Sequence, residues 1–375
     1  MKKNRVLITG GAGFIGSHTA DLLHSKGYKI RILDNLSSKT HNGQWPTYLK
    51  RDFELMRGDV RYKKHWYEAM RDIDYVIHLA GWMDLTPDFS QFASVNMVGT
   101  ANLYETIVKN NLSIKKVILA SSQFLYGEGE WSCKTHGRVF PGSRKGSDLQ
   151  KGIWDPLCPK TGCEIKIVYD NSKESHFPHP PNQYSISKLA MENMAMTLGK
   201  QYAIPSVAMR YSIVHGARQT VKSAYSGALR IFTLQMLSRQ NPTIYEDGKQ
   251  TRDFVHIQDV ANANLAVLES SETAFNIYNV GSGRAYSIID LAKMVSEKLN
   301  VKVNIAPCGK YRIGDNRHSV SSIQKIKKLG WEPKHSEQEA VSDFVEWVTK
   351  QDSFANINKT HKSMLNSGVI KNTTL

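Results

Sequence analysis

Short, continuous apolar runs alternate along this chain with longer stretches whose apolar residues recur every three or four positions. The runs are Arg5 to Thr9, Lys29 to Leu33, Tyr75 to Ala80, Val117 to Ser121 and Ser206 to Tyr211. Their length and lack of polar alternation predict strands buried on both faces, as in parallel sheets. The segments His18 to Ser25, Gln91 to Asn110 and Gln183 to Tyr202 are rich in Ala, Leu, Met and Glu and are predicted as helices. Strand and helix in alternation predict an α/β fold with a doubly wound parallel sheet, helices lying on both faces.

The rhythm breaks twice. Residues 128–181 carry Gly, Pro, Ser, Lys and three of the four cysteines and end in His176-Phe177-Pro178-His179-Pro180-Pro181, which reads as an insertion into one strand-to-helix connection. After Tyr211 the pattern turns mixed, with helices expected over Ile231 to Ser238 and Ile288 to Leu299. The expected organisation is a first domain over 1–211, a smaller C-terminal α/β lobe over 212–350 and a loose, polar tail over 351–375. Segments near 252–260 and 275–283 are expected to return to the first domain.

Composition narrows the setting. No apolar run reaches membrane-spanning length, and Met1-Lys2-Lys3-Asn4-Arg5 leads straight into Val6-Leu7-Ile8 without a signal-peptide core, so a spanning, secreted or lipid-anchored protein is not expected. Four cysteines in 375 residues do not make a disulfide framework, and a reducing cytoplasm is the expected compartment. The net charge of +15 comes from scattered Lys and Arg with no basic block or base-stacking motif, so a solvated surface is expected rather than a nucleic-acid partner.

The first predicted strand runs into Thr9-Gly10-Gly11-Ala12-Gly13-Phe14-Ile15-Gly16 and then a helix. Glycines at 10, 13 and 16 permit a tight turn, close approach of the backbone to a pyrophosphate and close helix packing, and the helix N-terminus favours negative charge. Asp34, with Asn35 beside it, ends the next strand at the spacing of a ribose-binding carboxylate, which favours NAD over NADP. Asp59-Val60 can meet the adenine amine or simply cap a loop, and Leu79-Ala80-Gly81 can line a cofactor or simply pack closely.

A second set carries chemistry. Tyr184-Ser185-Ile186-Ser187-Lys188 opens a helix, and the i to i+4 spacing puts phenol and ammonium on one face, where the cation eases deprotonation of the tyrosine. Ser121-Ser122-Gln123 lies at the carboxyl end of the preceding strand, the edge where such sheets bind ligands.

These residues together resemble the extended short-chain dehydrogenase/reductase family and its NAD-dependent nucleotide-sugar epimerases and dehydratases, over roughly residues 4 to 345. The glycine motif, Asp34, His78-Leu79-Ala80-Gly81, Asn96, Ser122, Tyr184 and Lys188 fall in family order, and Arg210-Tyr211, Arg252-Asp253-Phe254-Val255-His256, Asn279-Val280-Gly281-Ser282-Gly283 and Arg312-Ile313-Gly314-Asp315 look like its second-lobe motifs. The resemblance implies a Rossmann-type sheet binding NAD, with Asn96 and Tyr211 also at the cofactor. It implies Ser122, Tyr184 and Lys188 as catalytic residues. Nucleotide-sugar binding falls to Ser122, Gln123, Arg252, Arg312 and Asp315, with the two arginines clamping the diphosphate.

Dehydratases of the family carry Thr-Asp-Glu where this chain has Ser122-Gln123-Phe124, so 4-epimerisation is the expected reaction. Motifs in the insertion and its surroundings, among them Tyr126-Gly127-Glu128-Gly129, Trp154-Asp155-Pro156-Leu157-Cys158-Pro159 and Tyr225-Ser226-Gly227, look most like those of dTDP-L-rhamnose 4-epimerases, while Ile213 stands where an Asn is usual. Cys133-x2-His136 and Cys158-x4-Cys163 have the ligand types for a structural tetrahedral zinc, or are free cysteines in a loop; His176 or His179 are alternative ligands. Surplus apolar residues on the central helices, with family habit, imply a homodimer. The rival readings are a dehydratase or decarboxylase on the same scaffold and a non-catalytic NAD-binding or RNA-associated protein.

Overall fold

The structure, a computed structural model, describes residues 4–84, 87–163, 165–221, 227–351, 365–366 and 368–374; Tyr225 and Ser226 of one motif above lie outside them. In chain order the first strands are β1 (Arg5–Thr9), β2 (Lys29–Asp34), β3 (Glu54–Arg57), β4 (Tyr75–His78) and β5 (Lys116–Ser122). There follow β6 (Glu130–Cys133), β7 (Gly137–Val139), β8 (Val168–Asp170), β9 (Ser206–Tyr211), β10 (Ile213–His215), β11 (Thr251–Arg252), β12 (Phe254–His256) and β13 (Asn276–Val280).

Seven of these form one parallel sheet in the spatial order β13-β9-β5-β4-β1-β2-β3. Alternate residues feed opposite faces. Val6 and Ile8 join one core with Ile32, Ile118 and Met209, under helices Phe14–Ser25 and Ile257–Glu269. Leu7 and Leu119 join a second core with Trp66, Leu103 and Met191, under helices Lys63–Ala69, Gly99–Lys109 and Gln183–Gln201. The sheet is thus doubly wound, as the pattern of runs predicts. Its strand order reverses between β1 and β4, so the crevice at their carboxyl ends is the switch point where such sheets bind ligands. The edge strand β3 escapes a reading by apolar runs because Glu54 and Arg57 flank it in solvent.

A further core of Phe232, Phe254, Leu291 and Phe344 sits among helices Gly227–Leu237, Ile288–Leu299 and Glu337–Val348. The segment between β5 and helix Gln183–Gln201 builds its own antiparallel sheet, β7-β6-β8. The tail differs from its expected looseness at Ile370–Asn372, which pairs antiparallel with the strand Lys310–Arg312. Ile370 is buried there, which gives an otherwise polar segment one apolar anchor. Among the described residues no helix is long and apolar enough to cross a membrane.

Candidate functional site

The glycine turn between β1 and its helix is shaped by what a side chain would strike. A Cβ on Gly10 would lie 2.8 Å from the Ala80 nitrogen, and one on Gly16 would lie 2.3 Å from the Gly10 carbonyl oxygen. Backbone from β1, β4 and the helix therefore meets at the switch point with no room for anything larger than hydrogen. Gly13 caps the helix Phe14–Ser25 without a side-chain hydrogen bond, and no acid stands in its first turn. By contrast, helices Gln183–Gln201, Ile288–Leu299 and Glu337–Val348 each carry a reciprocal capping box. The first-turn N–H groups of Phe14, Ile15 and Gly16 are thus left to an anion.

At the end of β2, buried Asp34 accepts from the Ala12 N–H at 3.1 Å and from the Leu36 N–H at 2.9 Å. Burial pushes its carboxyl above the ordinary value. One pocket is lined by Gly10, Gly13, Asp34, Asn35, Asp59 and Gly81, with Val60, Leu79 and Ala80 on the same wall. Inside it Asp59 is already engaged. It accepts from Arg61 Nε at 3.0 Å and Nη2 at 2.7 Å and from Asn35 Nδ2 at 3.1 Å. Burial works to raise its pKa, and the hydrogen bonds from Arg61 and Asn35 hold it below the usual carboxylate range. Tyr211, expected at the cofactor, is turned into the core, where its hydroxyl donates to Asn264 at 2.6 Å.

Three segments bring the reactive set together. Ser122 ends β5 and accepts from the Phe124 N–H at 3.2 Å, which fixes its hydroxyl at the strand edge. Tyr184 sits in the first turn of helix Gln183–Gln201, behind the N-cap Asn182. Lys188, one turn on, is buried with its Nζ 6.0 Å from the Tyr184 ring centre, and it donates to the Ala120 carbonyl at 2.9 Å. Burial lowers its pKa from 10.5 to about 8.

Asn96 ties this helix to the pocket at the glycine turn. It lies on a π-helical stretch, Phe92–Val98, that runs into helix Gly99–Lys109. Its Oδ1 accepts from the Trp82 N–H at 2.6 Å, and its Nδ2 donates to the Trp82 carbonyl and to Ser187 Oγ. The wider turn re-aims one side chain at two segments, a common use of π-bulges at functional sites. Gly81 fits between them, because a Cβ there would come within 3.3 Å of both Asn96 Oδ1 and Lys188 Nζ. His78, fully buried and lowered to about 3 by burial and by Lys188, packs beneath as a neutral ring.

On the other side of Ser122, Gln123 is buried and accepts from Ser321 Oγ at 3.2 Å, and its Nε2 finds no hydrogen-bond acceptor among the described residues. Arg252 does not point away from the protein as a free clamp. Its Nη2 donates to Asp315 Oδ1 and the Asn316 carbonyl, both at 2.9 Å, and its Nη1 donates to the Thr251 and Arg317 carbonyls. Arg312 lies over the Tyr245 ring at 4.7 Å. Burial tends to raise the Asp315 carboxyl, but Arg252, Arg312 and Arg144 pull it below its ordinary value. Ile213 sits at the start of β10 against the second-lobe core.

Two features escape a reading by motif. Glu192, one turn beyond Lys188 on the same helix, accepts from Arg210 Nε at 3.0 Å and Nη2 at 2.5 Å and from Ser121 Oγ at 2.7 Å. Arg210 Nη1 also donates to the Tyr126 hydroxyl, which donates to Asn279. The signal available in sequence was Glu192 at i+4 from Lys188, which reads equally as a surface charge. The other feature is Arg144, an insertion residue whose guanidinium is buried against Glu128 and Glu246.

In the insertion, Cys133, His136, Cys158 and Cys163 converge, with their ligand atoms all within 4.8 Å of one another. Cys133 Sγ is 3.9 Å from Cys163 Sγ and 3.7 Å from His136 Nδ1, and Cys158 Sγ is 3.5 Å from that same nitrogen. No disulfide joins them. His176, an alternative ligand by sequence, faces Glu130 at 3.1 Å instead, and His179 also stands apart from the cluster.

Comparison with known proteins agrees with this geometry. The family model described as "NAD dependent epimerase/dehydratase family" matches residues 6–140 and 162–281, more than half of the chain, and passes over the middle of the insertion. A dTDP-L-rhamnose 4-epimerase from Burkholderia thailandensis is 30% identical over 357 residues, covering 92% of this chain and 95% of that protein. The UDP-glucose 4-epimerase of Thermotoga maritima, solved with UDP-glucose, superposes with a TM-score of 0.73 at 29% identity, over 92% of this chain and 99% of that one. The Thermus thermophilus UDP-glucose 4-epimerase, solved with NAD, gives a TM-score of 0.73 at 28% identity over the same shares. With the glycine turn, the uncapped helix and Asp34 all shaped for a dinucleotide, the chain belongs to the NAD dependent epimerase/dehydratase family, as an enzyme of the extended short-chain dehydrogenase/reductase type.

Proposed function

We propose that the protein is an NAD-dependent nucleotide-sugar 4-epimerase acting on a dTDP-6-deoxyhexose such as dTDP-L-rhamnose. The observation that carries the reaction class is the set Ser122, Tyr184 and Lys188 at the carboxyl edge of β5, with Gln123 and Phe124 where an acid pair would serve dehydration. The substrate rests on the likeness to the Burkholderia enzyme and on the resemblance of the motifs in and around the insertion to those of dTDP-L-rhamnose 4-epimerases. NAD, held by the glycine turn and Asp34, supplies hydride acceptance and return at one carbon.

In this reading Tyr184 takes the proton of the C4 hydroxyl as the hydride leaves C4, then returns it to the oxygen of the inverted centre. Lys188 stabilises the phenolate, and Ser122 orients the hydroxyl or relays its proton. Gln123, with a buried amide group to spare, meets a sugar hydroxyl. Arg312 and Asp315 meet the nucleotide diphosphate and ribose, and Arg252 contributes by holding Asp315. A 4-keto sugar that turns over between hydride transfers requires nothing more of the protein.

The reading also takes residues 1–211 as the NAD-binding domain and 212–350 as the nucleotide-sugar lobe. It includes a structural zinc held by Cys133, His136, Cys158 and Cys163, a cytoplasmic location, and a homodimer through the helices where Val98 and Ile186 stay exposed. Proton NMR against dTDP-, UDP-, GDP- and CDP-sugars, with no added oxidant, tests the function. A second sugar spin system with the anomeric phosphate intact is expected with dTDP-L-rhamnose; loss of water or carbon dioxide would identify a dehydratase or decarboxylase instead.

A further inference from the structure

We infer that the insertion is a zinc-stapled clamp that holds residues 315–322, and with them the Arg312–Asp315 arm, in place beside the substrate lobe. The inference rests on the zinc reading and extends it from a metal site to what the metal does.

The four ligand atoms lie within 4.8 Å of one another, and three of their separations fit the edges of a zinc tetrahedron. Zinc–sulfur bonds of about 2.3 Å and zinc–nitrogen bonds of about 2.0 Å place tetrahedral edges at roughly 3.8 Å between sulfurs and roughly 3.5 Å between sulfur and nitrogen. The distances here are 3.9 Å for Cys133 Sγ to Cys163 Sγ, and 3.7 Å and 3.5 Å from the two thiols to His136 Nδ1. Four protein ligands leave no open position, which makes the metal structural and not catalytic.

The insertion needs such a staple. Its own core is Trp131, Cys133, Val139, Cys158 and Ile167, with Cys163 and Tyr169 packed against it, so two of its five buried apolar residues are themselves metal ligands. A unit of this size with so small a core does not hold its shape by apolar burial alone. Metal binding joins the β6–β7 turn to the loop that follows Asp155.

The insertion grips one stretch of the second lobe at successive points. Arg144 Nη2 donates to the Asp315 carbonyl at 2.8 Å and, with Nη1, to Glu246 at 2.9 and 3.0 Å. Glu128 accepts from the Arg317 N–H at 2.9 Å, and Asp155 accepts from Arg317 Nε at 2.6 Å. Tyr169 and Ser172 bracket Val320, whose carbonyl accepts from both at 3.1 and 2.9 Å, and the Ser322 N–H donates to the Ser172 carbonyl at 2.8 Å. Every one of these partners lies within residues 315–322 or packs on them, directly after Arg312.

The test uses the full-length protein and does not depend on knowing the substrate. Metal content is measured on wild type, on Cys163→Ser and on Cys308→Ser, the last altering an exposed cysteine outside the cluster. Hydrogen exchange is then followed by mass spectrometry over residues 312–322 and over the glycine turn. About one zinc per chain is expected in wild type and in Cys308→Ser, with a drop of roughly tenfold or more in Cys163→Ser. Exchange over 312–322 rises by about tenfold or more in that variant, while the glycine turn is unchanged. Chelator-stripped wild type gives the same comparison should Cys163→Ser fail to fold. Wild type without zinc, or Cys308→Ser losing it, overturns the metal assignment. Zinc lost with exchange over 312–322 unchanged overturns the clamp and leaves the metal standing.

Discussion

Lys188 donates its ammonium to the Ala120 carbonyl at 2.9 Å, two residues before Ser122, so the helix of the tyrosine and the strand of the serine are tied through the cation between them. The bond is made inside the protein, and burial brings the Lys188 pKa down from 10.5 to about 8. The ammonium proposed to assist Tyr184 is therefore close to losing its proton in mildly alkaline solution.

A pH dependence of activity and stability follows. Turnover should fall as pH rises through about 8, where Lys188 becomes neutral and the phenol loses its cation. For stability the sign is opposite. The folded pKa lies below the unfolded one, so the unfolded chain binds more protons between the two values, and the Lys188 contribution to stability rises with pH from about 8 to about 10.5. Urea unfolding of wild type against Lys188→Met across that range checks this: wild type should gain relative to the variant as pH rises. A constant difference would refute the lowered pKa.

In the proposed function Asp34 sets the nucleotide preference. Asp34→Ala removes the carboxylate that would meet the ribose and that receives the Ala12 and Leu36 N–H groups. NADH affinity is expected to fall roughly 10- to 100-fold, with a smaller loss for NADPH. Fluorescence titration with both nucleotides measures the ratio; an unchanged preference would show that Asp34 only braces the turn.

The pair formed by Glu192 and Arg210 is nearly inaccessible to solvent, at 2% and 3% side-chain exposure. Arg210→Met leaves Glu192 charged, buried and unpaired, at an expected cost of about 3–5 kcal/mol in denaturant unfolding. The double variant Arg210→Met with Glu192→Leu should recover a large part of that loss. A single variant within about 1 kcal/mol of wild type would mean that the pair contributes little to stability.

What could be read in the sequence was mostly local. The strand runs, the glycine turn with Asp34 beyond it, and the Tyr184 to Lys188 spacing each depend on a few neighbouring residues, and the structure puts them at one switch point. Where side chains turn depends on partners far along the chain. Tyr211 follows a motif but spends its hydroxyl on Asn264, 53 residues away, and Arg252 folds back onto Asp315, 63 residues away. Ile370–Asn372 reads as polar tail because its strand partner, Lys310–Arg312, supplies the order. Arg144 gave no signal, since a buried arginine and a surface arginine look alike until Glu128 and Glu246 are brought to it.

The central claim is reversible oxidation at a single sugar carbon, with Tyr184 moving the hydroxyl proton. Its most direct test is proton NMR of the reaction in D2O with dTDP-L-rhamnose, run with wild type and with Tyr184→Phe. The account predicts an epimer with no deuterium on any ring carbon, because the hydride leaves and returns without meeting solvent. It also predicts a kcat at least about 100-fold lower in Tyr184→Phe with NAD still bound. Deuterium in the sugar ring, loss of water, or near-normal turnover in Tyr184→Phe would contradict it.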